Sequence, residues 1–540
     1  MGDDIDSLPA NAALFANWDA FLDPEGQPVV YEWSVGTRQG ADDVMAWAKV
    51  GGATSGALQG VTLPVGVRLH VNVRATDLRG NGSPVTSSNG LVVDAPQPGS
   101  AAPAPTLTNE PTAAATTPAP AVVQPPLPMP PDHFVRVDRA GITWTFATPT
   151  RCGRFVNGDW WVQGPVTIIG ISPGSRLDGE RVRHGSMLDP DPKALVQGYD
   201  NAMFGDGSAN RYDGARNVAF GVSPQQPLAL QPGCSLVSTI SVMPAGQLPQ
   251  LESCAVLTCL AAPPPANAFR PPYCGTDKQC RWTADNLALD ALPRLAAVDG
   301  APLLGDLVER FERTWLDHQP GWTGAYAHPR ANMPDYGRTI ADLVGQAGLA
   351  LLLDQPVADK RRLVIALVQL GIDVHGIVQN GGRFLADGGS GAGRKFPLLL
   401  AASLLHDAEL LRSATLPTLP FAEDAQTFVV AETAPGVIDH GHGGYGAADV
   451  GTAEWGNRHA DDPSFDQKEW GADPYRRCCT ANAWCGFVLA ARGLGLRDAW
   501  AHPPLFDYVD RYMQIEPRGT WTRAWSPFAE RMWDRYRATL

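Results

Sequence analysis

Residues 95–132, which include "APQPGSAAPAPTLTNEPTAAATTPAPAVVQPPLPMPP", are almost wholly Pro, Ala and Thr, with hardly any charge and no aromatic side chain. Such a stretch cannot bury enough apolar surface to offset the entropy of ordering it. Its prolines favour an extended, semi-rigid chain. It therefore divides the protein: whatever precedes it and whatever follows it must build separate cores. With 540 residues the chain is also too long for one ordinary core.

Residues 12–94 alternate apolar and polar side chains between turn signals, as in "VVYEWSVGT", "VRLHVNVRAT" and "GLVVD", and read as a small antiparallel β-sandwich. Trp18, Asp23, "YEWSVGT" at 31–37, Trp47, "VNVRATDLRGNGS" at 71–83 and "SNGLVVD" together resemble a fibronectin type III module. Its usual first strand is short here, so the chain is expected to begin inside a longer precursor. Residues 133–283 are again strand-like, in "GITWTFAT", "DWWVQGPVTIIGISP", "RNVAFGVS", "SLVSTISVM" and "SCAVLTCLA".

The period changes after that. Leu304, Leu307, Val308, Phe311 and Trp315 form one helical stripe, and further helices are predicted at 338–353, 360–378, 397–412, 478–492, 503–513 and 526–538. Pro302, Pro397 and Pro527 stand where first helical positions are expected, with Ser526 as an N-cap. Helices of these lengths suit antiparallel pairs. The predicted fold is multidomain: an N-terminal β-sandwich over 1–94, a Pro-rich linker over 95–132, a β-rich subdomain over 133–283, and over 284–540 a C-terminal α/α toroid, an incomplete barrel whose loops meet at one end.

The formal charge of -14 argues against a general nucleic-acid binder, which needs a broad basic surface. No run of 18 apolar residues occurs, so no membrane span is expected. The start, "MGDDIDSLPANAALFANW", lacks the basic and apolar regions of a signal peptide. Linkers such as 95–132 commonly join modules of secreted enzymes, and secretion, with a signal already removed or replaced, is the expectation. Cys274 and Cys280 bracket "GTDKQ", a loop that a disulfide would staple in an oxidising compartment. Cys478, Cys479 and Cys485 fall on a predicted helix, where buried packing is the simpler role.

Polar residues concentrate in four loops between the predicted helices. "HPRANMPDYGR" supplies His328, Arg330, Asn332, Asp335, Tyr336 and Arg338. The second loop runs from Asp373 and His375 to Asn380, Arg383, Arg394 and Lys395. The third, "DHGHGGYGAADVGTAEWGNRH", holds His440, His442, Tyr445, Trp455, Arg458 and His459; "DPYRRCCTANAW" adds Tyr475, Arg476, Arg477, Asn482 and Trp484. "GGSGAGRK" is not a phosphate loop, because Arg394 follows the last glycine and Phe396 replaces Ser/Thr. His440 and His442 invite a metal reading, but no HExxH, HxxEH or HxHxD pattern accompanies them, and neither metal nor cofactor is expected. No G-x-S-x-G elbow points to a serine nucleophile.

Tyr, His, Asn and several Arg therefore surround a helical array, with Trp521, Arg523 and Trp525 alternating in "TWTRAWSP". Aromatic faces stack on sugar rings and guanidinium groups pair with carboxylates, so the matching partner is an acidic polysaccharide. Uronic-acid polymers are cleaved by β-elimination. That reaction needs the C6 carboxylate neutralised, a base for the C5 proton and an acid for O4. Tyr445 is the first candidate for base and acid, with His442, His375, Asn332 and Arg476 beside it as catalytic candidates; Tyr336 and Tyr475 are the alternative tyrosines. Arg330, Tyr336, Arg338, Arg383, Arg394, Lys395, His440, Trp455, Arg458, His459, Tyr475, Trp521 and Arg523 are the candidate substrate contacts.

"GRFVNGDWWVQGPVTI", "GAGRKFPLLLAASLLHD", "EDAQTF", "EWGNRH", "YRRCCTANAW" and "FDYVDRYM" give residues 133–540 a resemblance to α/α-toroid polysaccharide lyases, most nearly the alginate and glucuronan lyases of family 38. The resemblance implies a metal-independent lyase on a β-1,4-linked uronan, with a Tyr as base and acid and an Arg tuning it. The N-terminal module would contact polysaccharide or neighbouring domains. Two rival readings stand: a glycoside hydrolase using two carboxylates among Asp335, Asp373, Glu423, Asp424 and Glu454, and a non-catalytic carbohydrate-binding protein.

Overall fold

The computed structural model describes residues 7–9, 14–18, 21, 29–51, 54–58, 63–77, 82–94, 132–203, 211–243, 245–246, 248–319, 324–332, 337–386, 389–434, 437–438, 445–456 and 475–540. The expected linker lies outside these apart from Asp132. The chain is multidomain and divides into two compact units, Met1–Val123 and Gln124–Leu540.

In the first unit the strands are β1 (Ser7–Pro9), β2 (Leu14–Asn17), β3 (Val29–Gly36), β4 (Met45–Gly51), β5 (Ser55–Leu58), β6 (Arg68–Asp77), β7 (Thr86–Ser87) and β8 (Leu91–Asp94). They form a sheet in the order β1-β8-β6-β3-β4, with β7 on β6 and a separate β2–β5 pair. Alternation explains the core: Tyr31, Trp33 and Val35 of β3 point to one face and are buried with Leu69 and Val73 of β6 and Val93 of β8. Asn72 is buried too, but satisfied. It accepts from Gly40 N at 2.7 Å and donates to Ala41 O at 2.6 Å, which pins the turn after β3.

The second unit begins with β9 (His133–Arg139), β10 (Ile142–Arg154), β11 (Trp160–Gln163), β12 (Val166–Ser172), β13 (Arg176–Asp178), β14 (Arg181–Arg183), β15 (Ser186–Leu188), β16 (Leu228–Leu230), β17 (Cys234–Ser241) and β18 (Leu251–Leu260). The large sheet runs β15-β17-β18-β11-β10-β12-β16, with β9 on β10. Alternate residues of its central strands serve two cores: Leu236 and Leu257 pack with Trp144 and Ile168, whereas Val237 and Val256 join the helices. Burial on both faces turns β18 into a continuous apolar run. The predicted strand "RNVAFGVS" is instead a turn and loop, which the Asn217 side chain organises by accepting from Ser186 N and Ala219 N, both at 3.1 Å.

The helices are α1 (Leu304–Phe311), α2 (Gly324–Ala327), α3 (Gly337–Leu352), α4 (Val357–Gln379), α5 (Lys395–Leu404), α6 (Ala408–Ala414), α7 (Ala422–Ala425), α8 (Tyr475–Cys478), α9 (Ala481–Gly493), α10 (Arg497–Trp500), α11 (Pro503–Ile515) and α12 (Pro527–Tyr536). Short strands β19 (Thr427–Val429), β20 (Glu432–Ala434), β21 (Val437–Ile438) and β22 (Ala453–Trp455) interrupt them, pairing β19 with β22 and β20 with β21. α3 approaches α9 closely because Gly345 and Gly486 face one another; a Cβ on Gly345 would lie 2.9 Å from Gly486 Cα. α4 is long and apolar enough to cross a membrane, yet 89% of its most apolar window is buried against protein, as in a core helix.

The single helix expected at 397–412 is two. His406 takes a positive φ of 53°, and the Asp407 carboxylate then caps α6 by accepting from Glu409 N at 2.8 Å and Leu410 N at 2.9 Å. Ser526 caps α12 with Pro527 at its first position, as the sequence suggests. Pro397 is instead the third residue of α5, and Pro302 precedes α1, whose cap is Leu303. Cys274 and Cys280 are free thiols. Lys278 ties their loop instead, donating to Pro272 O at 2.8 Å and Gly275 O at 2.6 Å.

Candidate functional site

Three segments that each follow or precede a helix converge on one cluster. Asp317 lies just beyond α1 and His328 just beyond α2, while Arg394 ends the glycine-rich loop before α5. His328 Nε2 lies 2.8 Å from Asp317 Oδ1. Arg394 donates to the same carboxylate, Nη2 to Oδ1 at 3.0 Å and Nε to Oδ2 at 3.2 Å, and is itself braced by Ser390 O and Ala392 O. All three side chains are almost fully buried. Burial alone would raise the Asp317 carboxyl, but Arg394 and then His328 outweigh it and hold it well below the usual carboxylate range.

An ionised Asp317 fixes the imidazole, because Nε2–H donates to it and Nδ1 is turned away from the carboxylate. That Nδ1 is buried and has no hydrogen-bonding partner among the described residues, and neither has Gln319 Oε1. Both residues line a cavity of about 10 Å³ with Arg383 and Ser390, enough for one water molecule. A buried base oriented by a carboxylate, with its second nitrogen unengaged and guanidinium groups alongside, is suited to moving a proton near an anion.

The glycines that resemble a phosphate loop serve close packing. Gly389 and Gly393 both have φ near 91°, and a Cβ on Gly389 would stand 2.0 Å from Cys479 O. A Cβ on Gly337 would likewise meet Ser390 Cα at 2.3 Å. Loops one, two and four are thus pressed together. At their meeting point Cys478 and Cys479 form a disulfide between adjacent residues, where the sequence suggested only packing. Arg338 donates to Cys478 O at 2.8 Å and lies 3.8 Å over the ring of Trp525 and 5.0 Å over that of Trp521. The two indoles meet edge to face, and Trp521 is 59% exposed.

Other candidates are placed differently. Lys395 is buried in an ion pair with Asp424 and donates to Trp500 O at 2.7 Å. Arg476 is fully buried, bonded to Tyr508 OH at 3.1 Å and 5.0 Å over Trp455, itself fully buried. His375 bonds Ser413 Oγ at 2.8 Å and packs edge-on against Trp282, and burial lowers its proton affinity. Asn332 is buried and donates to Arg313 O at 3.1 Å and Thr314 O at 3.3 Å. These five hold the core together. Arg330 pairs with Glu252 on the surface, and Arg523 with Glu530 and Asp534. Tyr445 is half-buried, its ring edge-on to Phe428 at 6.3 Å. Tyr336, His440, His442, Arg458 and His459 lie outside the described residues, as does the side chain of Tyr475.

Asp317 carried no sequence signal beyond being one acid in an amphipathic segment, and His328 stood among the loop-one residues without a partner to mark it. Among the carboxylates, Asp373 is bound on both oxygens by Arg270, at 3.0 and 2.6 Å. Glu423 differs. It is fully buried, with Oε2 accepting from Gly393 N at 3.3 Å and Oε1 without a partner among the described residues, and burial with neighbouring Asp424 pushes its carboxyl up to about 7. Among the described residues no cluster of three or more His, Cys, Asp or Glu is arranged to hold a metal ion. No family model matches the chain, and no curated protein or solved structure matches it.

Proposed function

We propose that the protein is a secreted polysaccharide lyase that cleaves an acidic polymer such as alginate or glucuronan by β-elimination, with the helical region an α/α toroid and the N-terminal sheet a fibronectin type III-like module. The observation that carries this reading is the Asp317–His328 pair, its bare Nδ1 beside Arg394 and Arg383 at one cavity. In this mechanism Arg383, exposed at the rim, meets the C6 carboxylate and makes the C5 proton more acidic. His328 takes that proton through the water-sized cavity, the C4–O4 bond breaks as the C4–C5 double bond forms, and Tyr445 protonates the departing O4. The Trp521–Arg338–Trp525 stack offers an aromatic face and a positive charge for further sugar units.

The test is ultraviolet absorbance of the conjugated uronate that elimination leaves, with alginate, glucuronan, pectate and glycosaminoglycans as substrates. Absorbance should rise on one of them and should fall to near background in His328→Gln and Tyr445→Phe, with folding retained. No rise on any uronan would remove the lyase reading. One feature favours a second: burial beside Asp424 pushes the Glu423 carboxyl up to about 7, which suits a general acid in a glycoside hydrolase. New reducing ends without the unsaturated product would establish that alternative, and binding without any cleavage would leave a carbohydrate-binding protein.

A further inference from the structure

The segment that carries Asp317 also borders a larger cavity, of about 180 Å³, where the β10–β11 turn meets α1 and α4. Its polar wall has more guanidinium than carboxylate. Arg139, Arg313 and Arg362 line it against Glu312 and Asp373, and Asp373 is already held on both oxygens by Arg270. Arg139 is engaged by Asp159 at 3.4 Å and by the carbonyls of Asn157 and Glu312, and Arg362 pairs with Glu312 at 3.6 Å. Arg313, half-buried, is different: among the described residues no carboxylate pairs with it and nothing accepts from its Nε. The remaining wall is apolar, formed by Val308, Phe311, Trp315, Ile365, Ala366 and Leu370.

We infer that this cavity is a binding site for a small ring-bearing carboxylate, with Arg313 receiving the carboxylate and the apolar wall covering the ring. A volume of about 180 Å³ suits one substituted ring and excludes a polymer. The site is separate from the Asp317–His328–Arg394 cavity, but Trp315 links them by packing on two residues that line the smaller one. That indole lines the larger cavity, stands 5.3 Å from the His328 ring and lies 5.8 Å from the Arg394 guanidinium. An occupant would therefore touch a ring that also packs on the proton-moving pair, which gives binding a route to the proposed chemistry.

Calorimetric titration of the full chain with D-glucuronate and with benzoate tests the inference, with D-glucose and benzyl alcohol as neutral counterparts. One of the two carboxylates should bind at one site per chain and its neutral counterpart should not. Arg313→Gln should weaken binding by about tenfold or more, the loss of one charge-assisted bond. Ala366→Leu, which fills the cavity without altering charge, should block it in a chain whose thermal unfolding is unchanged. Arg383→Gln should leave binding intact. The inference is overturned if neither carboxylate binds, if both Arg313→Gln and Ala366→Leu bind as well as the original chain, or if only Arg383→Gln abolishes binding.

Discussion

Arg394 and Lys395 are neighbours in sequence, both cationic and both buried, yet they do opposite things. Lys395 meets Asp424, which also accepts from Trp500 Nε1 at 2.7 Å, and every polar group in that set points at another member. Arg394 meets Asp317, whose other partner, His328, keeps a bare nitrogen at a cavity. One network is closed and the other open. Closed networks hold structure, and an open one has capacity left for a ligand or a proton. One residue's step along the start of α5 turns the side chain from the cavity to the helical core.

The contrast breaks most visibly under substitution. Lys395→Ala leaves Asp424 buried without its cation, which should cost about 3–5 kcal/mol of stability by denaturant unfolding. A loss below about 1 kcal/mol would show that the closed network is not structural. His328→Gln should do the reverse, reducing turnover about 10²–10³-fold with unfolding nearly unchanged. If His328→Gln instead unfolds the chain while turnover per folded molecule persists, His328 belongs with Lys395 and the open network has no chemical role.

Glu423 sits between the two behaviours, because it is as buried as the closed network but one of its oxygens has no partner among the described residues. Its folded-state proton affinity is raised above the ordinary glutamate value of 4.5 to about 7. For a raised group the stabilising contribution is full below the unfolded value and is lost as pH rises through the folded one. The chain should therefore lose roughly 2–3 kcal/mol between about pH 4.5 and 8 on account of this group, and Glu423→Gln should flatten that part of the profile. An unchanged slope in Glu423→Gln would place the titration elsewhere, Asp342 being another buried carboxyl pushed up to about 7.

The architecture was legible because its signals are periodic. Alternation in β3 and β6 and the stripe of α1 are written residue by residue, and Ser526–Pro527 marks a helix start by chemistry alone. The break between α5 and α6 was hidden, since the apolar run continues across it and only the left-handed His406 interrupts it. Site residues were legible as types but not as roles. Sequence places Arg476, Trp455, Lys395 and His375 in polar loops, whereas burial against Glu454, Tyr508, Trp500 and Ser413 makes them core. That distinction depends on partners far along the chain, which local composition does not encode. The pairing of Asp317 with Arg394 is of the same kind, spanning 77 residues.

The smallest expected effect concerns the surface side of the open network. Arg338 lies over Trp525 and Trp521 while bonded to Cys478 O, so its charge is held at an aromatic step beside the Cys478–Cys479 disulfide. An exposed cation–π contact contributes about 0.5–1 kcal/mol, and a stacked sugar a similar amount. Trp521→Ala should therefore raise KM for a long uronan about two- to fivefold with kcat unchanged, because a grip remote from the reacting bond is felt equally in ground and transition states. A short oligomer that does not reach Trp521 should show no difference. If kcat falls instead, or if long and short substrates respond alike, the indole acts on the folded geometry of the cavity, and the open network extends further than its buried ion pairs.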